Sequence, residues 1–451
     1  MGIEIGIEWL TLIMFGSLLA LLMAGLPLAF VTGGLACVFL FVLGDARALN
    51  IVPSRIFPLM TNYQLSAIPL FIFMAAMLER AGIINDMFDV IYKVLGGVKG
   101  GLASATIIAS TILAAMVGVI GAAVVTMGII ALPAMLKRHY DPKIAMGSIM
   151  AGGTLGILIP PSILAIIYAV VAEQSVGELF IGAVIPGLLL SGMYILYVLV
   201  RCFINPELGP AIPVEERISN AEKVRLVGKM AAPITLVVVV LGIIFSGVAT
   251  PVEAAGIGTF GAFIVAAIHR KLDWPTVREA CTTTLKASAM VIWIMFGATI
   301  FVGLYVLEGG QQFVQDALAA TGLGPWGILI LMQVLLVILG MFLDWVGILL
   351  LCVPIFVPII KALGAHAFGL DSSEDLVLWF GVLYLVNMQM SFLSPPFGYA
   401  LFYLRGVAPA EIPMTDIFKS ALPFLALQIV GLVLCMLFPQ IITWLPRLVY
   451  G

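Results

Sequence analysis

Residues 152–162 read Gly-Gly-Thr-Leu-Gly-Ile-Leu-Ile-Pro-Pro-Ser and lie within a long apolar stretch. A second sequence of this kind, Ser-Phe-Leu-Ser-Pro-Pro-Phe-Gly, occupies residues 391–398. Two adjacent prolines remove two backbone donors and bias the preceding residue away from the helical region. In hydrocarbon, such a backbone is tolerated only where protein or a water-filled cavity satisfies its polar groups. Each Pro-Pro pair therefore predicts a broken helix that lines a site, and two such breaks indicate a transporter built from repeats.

The composition of the chain is that of a membrane protein. Its 451 residues are 63% hydrophobic and 10% charged, whereas soluble domains carry roughly 25% charged residues. The apolar segments are continuous rather than alternating, which excludes an outer-membrane barrel. Apolar runs of about 20 residues indicate about 10 membrane spans. We therefore predict an all-α polytopic membrane protein, and its net charge of −3 without a basic run gives no sign of nucleic-acid binding.

Two further apolar segments, 101–136 and 325–360, are long but have a Gly-rich or polar middle. The first middle contains Gly118 and Gly121, and the second contains Asp344. Glycines spaced in this way suit a tight turn or a close backbone approach. We interpret both segments as re-entrant hairpins that enter and leave on the same face of the membrane. The alternative is two kinked single spans.

The distribution of basic residues supports the hairpin interpretation. Sixteen of the 21 Lys and Arg residues fall in five loops that we assign to the cytoplasm. These loops are 85–100, 137–144, 201–230, 269–286 and 404–419. Because cytoplasmic loops carry an excess of Lys and Arg, this bias fixes the predicted orientation. A single crossing at either hairpin would invert the loops that follow it and remove the bias.

The predicted topology contains an inverted repeat. The first half, residues 1–200, holds hairpin 101–136 and broken helix 145–172. The second half, residues 231–451, holds hairpin 325–360 and broken helix 376–403. The two hairpins open to opposite sides of the membrane, and residues 201–230 form a cytoplasmic linker between the halves. Inverted repeats place substrate and ion sites near the membrane midplane.

The first candidate site combines the first hairpin tip with the first break. Glycines allow close backbone approach, hydroxyls and freed carbonyls suit a hard monovalent cation, and the helix that begins near the prolines presents a positive end to an anion. A structural proline kink is the alternative. The candidate residues of this half are Gly118, Gly121, Thr126, Gly152, Gly153, Thr154, Pro160, Pro161 and Ser162.

The second candidate site follows the same logic around residues 391–398. Asp344 adds an acid within an apolar run, and an intramembrane acid is by default a candidate functional residue. It could bind a cation, relay a proton, or merely cap the second arm of the hairpin. The candidate residues of this half are Asp344, Gly347, Asn387, Ser391, Ser394, Pro395, Pro396 and Gly398.

Other motifs exclude several functions or have a structural explanation. The chain has no phosphate-binding loop, so we expect no ATP hydrolysis. No nucleophile, base or metal cluster is evident in the sequence, so we expect neither an enzyme nor a bound cofactor. The Thr-Pro-Val-Glu sequence at 250–253 is typical of a capping box that begins a helix.

The stretch Gly-Gly-Thr-Leu-Gly-Ile-Leu-Ile-Pro-Pro-Ser-Ile at 152–163 resembles the signature of the large membrane subunit of tripartite ATP-independent periplasmic (TRAP) transporters, the DctM type. The resemblance covers nearly the whole chain. Further segments that fit the pattern are 132–137, 175–180, 185–188, 250–254 and 392–398. The second break has Leu-Ser-Pro-Pro-Phe-Gly where many relatives have Thr-Pro-Pro-Val-Gly. Serine replaces threonine before the prolines, so the hydroxyl group is kept.

The resemblance implies an elevator-type secondary transporter, with transport and scaffold domains, in the bacterial inner membrane. It implies sodium as the coupling ion, bound between each hairpin tip and the break that follows it. It also implies two partners, a small four-span membrane subunit and a periplasmic substrate-binding protein, and a small organic acid as substrate. A stand-alone carrier or channel for small anions is the alternative, and a membrane-embedded enzyme or scaffold is a third hypothesis without supporting residues.

Overall fold

The computed structural model describes residues 5–44, 46–117, 120–213, 218–395 and 398–450. Within these ranges every regular element is helical, which confirms the prediction of an all-α polytopic membrane protein. Six of the described helices are long and apolar enough to cross a membrane, or up to eight if each of two bent pairs is one span. The count of about 10 spans and the two re-entrant hairpins stay predictions.

The first ten α-helices precede residue 205. Those before the first hairpin segment are α1 (Ile7–Met23), α2 (Leu28–Gly44), α3 (Ile51–Met60), α4 (Ala67–Arg80) and α5 (Ile83–Leu95). Those of the hairpin segment and the first break are α6 (Gly101–Val117), α7 (Ile120–Lys137), α8 (Pro142–Thr154), α9 (Ile163–Ala172) and α10 (Val176–Ile204).

The remaining eleven described α-helices lie between residues 220 and 450. The next five are α11 (Asn220–Lys229), α12 (Ala231–Phe245), α13 (Pro251–Ile268), α14 (Trp274–Leu307) and α15 (Gly310–Ala320). The last six are α16 (Pro325–Gly340), α17 (Trp345–Leu363), α18 (Ser373–Leu393), α19 (Tyr399–Arg405), α20 (Met414–Leu437) and α21 (Gln440–Tyr450).

Several helices begin where a side chain satisfies the free N–H groups of the first turn. Asp141 accepts hydrogen bonds from the backbone N–H groups of Lys143 and Ile144, at 2.8 and 3.1 Å, before α8. Thr250 and Glu253 bond each other reciprocally before α13, which confirms the capping-box interpretation of this motif. These caps fix where the helices of both halves start.

The helices pack in two groups. In the first group α14 packs against α2, α3 and α4, and α13 packs against α4 and α12. In the second group α8 packs against α6, α7 and α20, and α18 packs against α16, α17 and α20. The groups meet where α14 contacts α17 and where α4 contacts α6. Both breaks and both hairpin segments belong to the second group.

Burial differs sharply between central and outer helices. Every residue of α18 from Leu376 to Leu393 is buried, including its amides and hydroxyls. Outer helices instead expose large apolar side chains, such as Phe30, Val238 and Phe260, which are 65%, 62% and 67% exposed. Such surfaces are stable against lipid rather than water. The second group therefore surrounds one fully enclosed helix that carries polar residues.

Candidate functional site

The first break is a short buried turn between two helices. Helix α8 ends at Thr154, a 3-10 turn follows at Leu155–Ile157, and α9 begins at Ile163. The peptide bond between Pro160 and Pro161 is cis. The Ser162 hydroxyl donates to the Ile157 carbonyl and accepts from the Ala165 N–H at 3.4 Å, so that it caps α9. The residues of this turn are buried, and Ser162 satisfies one of the carbonyls that the prolines free.

The second break is less fully bonded. The Ser394 hydroxyl donates to the Met390 carbonyl at 2.7 Å, and the Gly398 N–H donates to the Ser394 carbonyl at 3.0 Å. Pro395 lies in the turn, whereas Pro396 is outside the described residues. The buried Ser391 hydroxyl has no hydrogen-bond partner within the described ranges. The second break therefore leaves a buried hydroxyl group unsatisfied within the described ranges.

The first hairpin tip lies against elements of both groups. Gly118 is outside the described residues. The ring of Tyr403 packs on Gly121, where an added methyl carbon would come within 3.1 Å of Tyr403 Cζ. The Thr126 hydroxyl lies beside the Glu79 carboxyl of α4.

Two glycines of α8 allow its close packing. A methyl carbon on Gly152 would lie 2.8 Å from Ser110 of α6, and one on Gly153 would meet Val124 of α7. Both positions therefore need glycine because the arms of the first hairpin segment approach the α8 backbone directly. The packing brings the hairpin segment and the first break together.

Asp344 begins the second arm of the second hairpin segment. Its carboxylate accepts from the Val346 N–H at 3.2 Å, so it is the N-cap of α17. The Tyr399 and Tyr403 side chains of α19 lie near this carboxylate. Gly347 packs against Leu28 at the start of α2. The capping geometry is present, and it leaves the carboxylate beside the residues that follow the second break.

Ser391 faces the second hairpin segment at very short range. An added methyl carbon on Gly340 would collide with the Ser391 side chain. A gap too narrow for a water molecule lies beside this contact, between α16, α17, α18 and α19. Its walls are Gly340, Leu343, Trp345, Ile348, Met388, Ser391, Phe392 and Tyr399. The second tip and the second break therefore pack closely around the unpaired hydroxyl.

Asn387 lies on another face of α18. Its Nδ2 donates to the Gln333 carbonyl at 2.9 Å and to Gln333 Oε1 at 2.8 Å, which joins α18 to α16. The pair lines a groove of about 470 Å³ between α16, α18 and α20, with Ile330, Val334 and Leu437 among its apolar walls. The structure thus brings Asn387 to Gln333, and not to the Ser391 and Ser394 hydroxyls.

The two halves interlock at the breaks. Helix α9, which follows the first break, packs against α17 of the second hairpin segment. Helix α19, which follows the second break, packs against α7 of the first. Thr154 Oγ1 lies 3.4 Å from Gln389 Oε1, so polar atoms of the two breaks meet directly. Both candidate sites are therefore parts of one buried assembly.

A family model described as "Tripartite ATP-independent periplasmic transporter, DctM component" matches residues 15–441. The chain belongs to this family. The match confirms the resemblance that the Pro-Pro motifs indicated. The chain is therefore the large membrane permease of a TRAP transporter, a multi-pass protein of the bacterial inner membrane.

Curated TRAP permeases are similar over nearly their whole length. The C4-dicarboxylate TRAP transporter large permease protein DctM of Pseudomonas aeruginosa is 32% identical, over 92% of this chain and 92% of that protein. The protein of the same name from Vibrio cholerae is 29% identical, over 97% and 98%. The sialic acid TRAP transporter large permease protein SiaM of Vibrio cholerae is 30% identical, over 96% and 97%. These relatives are transporter permeases rather than enzymes.

Solved structures support the fold. The YdaH transporter of Alcanivorax borkumensis superimposes with a TM-score of 0.64 at 15% sequence identity, over 95% of this chain and 99% of that chain. MtrF of Neisseria gonorrhoeae superimposes with a TM-score of 0.58 at 13% identity, over 88% and 85%. At these identities the likeness concerns the fold alone.

Sequence reasoning missed several polar residues of this TRAP permease. Gln333 and Gln428 are buried amides within otherwise apolar helices. An isolated polar residue in an apolar run indicates a candidate functional position, so the sequence did contain a signal for both. Tyr194, Tyr399 and Tyr403 had no comparable signal, because aromatic residues are common in membrane helices. Their positions beside the breaks depend on packing between distant segments.

Proposed function

We propose that this TRAP permease imports a small organic acid across the inner membrane, driven by a sodium gradient, after a periplasmic binding protein delivers the substrate. The observation that carries the proposal is the buried Ser391 hydroxyl, which has no hydrogen-bond partner within the described ranges and faces the second hairpin segment inside an apolar helix bundle. Buried polar groups without protein partners are rare, and a transported ligand would supply the missing partners.

The relatives support the substrate class. Their names refer to C4-dicarboxylate, to sialic acid and to isethionate. The chain offers no Lys or Arg within either break, so an anion would depend on helix ends, hydroxyls and co-bound cations. We therefore propose an organic acid whose carboxylate or similar group is neutralised mainly by sodium.

The donor set near each break suits sodium. Around the second break it comprises the Ser391 hydroxyl, backbone carbonyls freed by the prolines, and the Asp344 carboxylate at the facing tip. Around the first break it comprises backbone carbonyls of the turn that follows α8. Hard cations prefer such oxygen ligands. We propose one sodium site at each break.

The reciprocal packing of α9 with α17 and of α19 with α7 supports an inverted repeat with an elevator-like division of the chain. In this proposal the group that contains both breaks is the transport domain, and the group built on α2, α4, α13 and α14 is the scaffold. Substrate sites of inverted-repeat carriers lie between the broken helices near the membrane midplane.

Two protein partners belong to the proposal. The isethionate TRAP transporter permease protein DctMQ of Oleidesulfovibrio alaskensis is 29% identical, and this chain spans 65% of its length. The additional length of that relative supports a second membrane component, which we propose is a separate small four-span subunit here. The periplasmic binding protein is the second partner.

Reconstitution in liposomes tests the proposal. The permease, the small subunit and the binding protein are assembled, and uptake of a radiolabelled organic acid is measured with an inward sodium or potassium gradient. We expect uptake only with sodium and all three proteins. Robust uptake by this chain alone, without sodium, would overturn the proposal in favour of a stand-alone carrier or channel.

A further inference from the structure

Four polar residues, one from each of four helices, lie close together where the two breaks contact each other. Thr154 ends α8, Gln389 lies in α18, Gln428 in α20 and Tyr194 in α10, and all four are fully buried. Gln428 Nε2 donates to Thr154 Oγ1 at 3.2 Å, and Thr154 Oγ1 lies 3.4 Å from Gln389 Oε1. The Tyr194 hydroxyl lies beside Gln428 and Thr154, but it makes no hydrogen bond of good geometry within the described ranges. We call these four residues the polar junction.

The junction joins equivalent positions of the two breaks. Thr154 lies six residues before Pro160, and Gln389 lies six residues before Pro395. Equivalent positions of a two-fold inverted repeat contact each other only where they lie beside the axis that relates the halves. The Thr154–Gln389 contact therefore places the junction at the centre of the proposed repeat.

Three atoms of the junction lack partners within the described ranges: Gln389 Nε2, Gln428 Oε1 and the Tyr194 hydroxyl. The first is a donor, the second an acceptor and the third can act as either. A cation would satisfy the oxygen atoms alone, whereas a water molecule can accept from an amide and donate to another. Buried waters typically make 2–4 hydrogen bonds of this kind.

We propose that an ordered water completes the junction and that the junction couples the two sodium sites. A cation bound at one break displaces the last turn of the helix before that break. The Thr154, Gln389 and Gln428 side chains then transmit the displacement to the other break. Such coupling requires a structural element with two arrangements, whose equilibrium is shifted by ligand binding at either site. Gln428 and Tyr194 act as positioning residues, and the coupling rests on the proposed sodium-driven function.

Sodium activation of uptake tests the coupling in the fully reconstituted transporter. Tyr194→Phe and Gln428→Met each remove polar atoms from the junction and nearly keep the side-chain volume. We expect the Hill coefficient for sodium to fall from about two toward one, with maximal uptake at saturating sodium reduced less than about twofold. Lower maximal uptake with an unchanged Hill coefficient would overturn the coupling and leave a structural role.

Tyr197→Phe is the matched control. Tyr194 and Tyr197 lie on the same helix, and both pack edge-on against Phe424, with ring centroids 5.6 and 5.3 Å away. Tyr197 lies outside the junction, so its substitution should leave the Hill coefficient unchanged. An equal fall in both variants would contradict a specific role of the junction.

Hydrogen exchange of the purified protein supplies a measurement that does not depend on sodium. Thr154→Val should increase amide exchange in peptides of the second break, residues 389–398, although the substitution lies in the first. Thr111→Val is the control, because Thr111 bonds Ser191 at 2.8 Å outside the junction. An increase confined to the first break would overturn the junction. A wild-type transporter without sodium dependence would instead contradict the proposed function.

Discussion

The two breaks carry the same Pro-Pro motif but differ in how far they satisfy their own polar groups. In the first, Ser162 bonds the Ile157 carbonyl and caps α9, a ten-residue helix that is almost wholly buried. In the second, the Ser391 hydroxyl stays unpaired within the described ranges, and α19 has only seven residues. Phe402 and Tyr403 of α19 are 48% and 39% exposed.

The difference indicates distinct tasks for the two turns. A turn that pairs its hydroxyl with its own backbone forms a fixed wall, because unmaking that bond leaves a buried group unsatisfied. A turn with an unpaired hydroxyl can gain a ligand without losing a bond. We therefore expect substitutions at the first break to lower mainly stability, and those at the second to change mainly the response to sodium. Four substitutions test this contrast, in order of their expected effect on stability.

Gly340→Ala should have the largest effect. The added methyl group collides with the Ser391 side chain, and overpacking of this kind costs about 1–3 kcal/mol. We expect a lower melting temperature of the purified permease and a strong loss of sodium-driven uptake, because the second hairpin segment moves away from the second break. Gly16→Ala is the control, since nothing lies within 4 Å of its added methyl group. Unchanged melting with Gly340→Ala would contradict the close contact.

Ser162→Ala should lower stability by about 0.5–2 kcal/mol, the usual cost of losing an N-cap hydroxyl. Because this hydroxyl is occupied by Ile157 and α9, we expect the half-saturating sodium concentration to change little. Thermal unfolding and sodium titration of uptake measure the two quantities. Ser54→Ala, at an exposed hydroxyl, should leave both unchanged. A large loss of sodium affinity with normal stability would show that Ser162 binds the ion, and the two breaks would then not differ in their tasks.

The sequence predicted the helical membrane fold because apolar content and Pro-Pro breaks are local properties of the chain. It also located a cap at Thr250, which depends on four consecutive residues. It could not predict that Asn387 pairs with Gln333, or that Thr126 faces Glu79, because those contacts join segments 54 and 47 residues apart. The face of a helix that a polar side chain occupies follows from tertiary packing, which no spacing rule specifies.

The sequence also gave no reason to distinguish the two breaks, since each has hydroxyls beside its prolines. The distinction arises from position: Ser162 follows its prolines and caps the next helix, whereas Ser391 precedes its prolines by a turn and faces Gly340. Gln428 lies 274 residues from its partner Thr154, so the polar junction likewise required the folded chain.

Ser391→Ala should leave stability unchanged or slightly higher, because it removes a buried hydroxyl that has no partner within the described ranges. If this hydroxyl binds sodium, the half-saturating sodium concentration for uptake should rise several-fold. Ser394→Ala is the matched control, since its hydroxyl already bonds the Met390 carbonyl. Uptake by Ser391→Ala with wild-type sodium affinity would remove the main functional difference between the breaks.

Asp344→Asn should change stability least, because asparagine caps a helix about as well as aspartate and the Val346 N–H keeps its acceptor. The substitution removes the negative charge from the second tip while keeping its shape. We expect a melting temperature close to that of the wild type and a weaker response of uptake to sodium, since a neutral amide attracts a cation less than a carboxylate does. Asp273→Asn, at the exposed cap of α14, should alter neither quantity. If Asp344→Asn also keeps the sodium dependence and rate of uptake, Asp344 is a cap alone, and the second site depends on neutral oxygens as the first does.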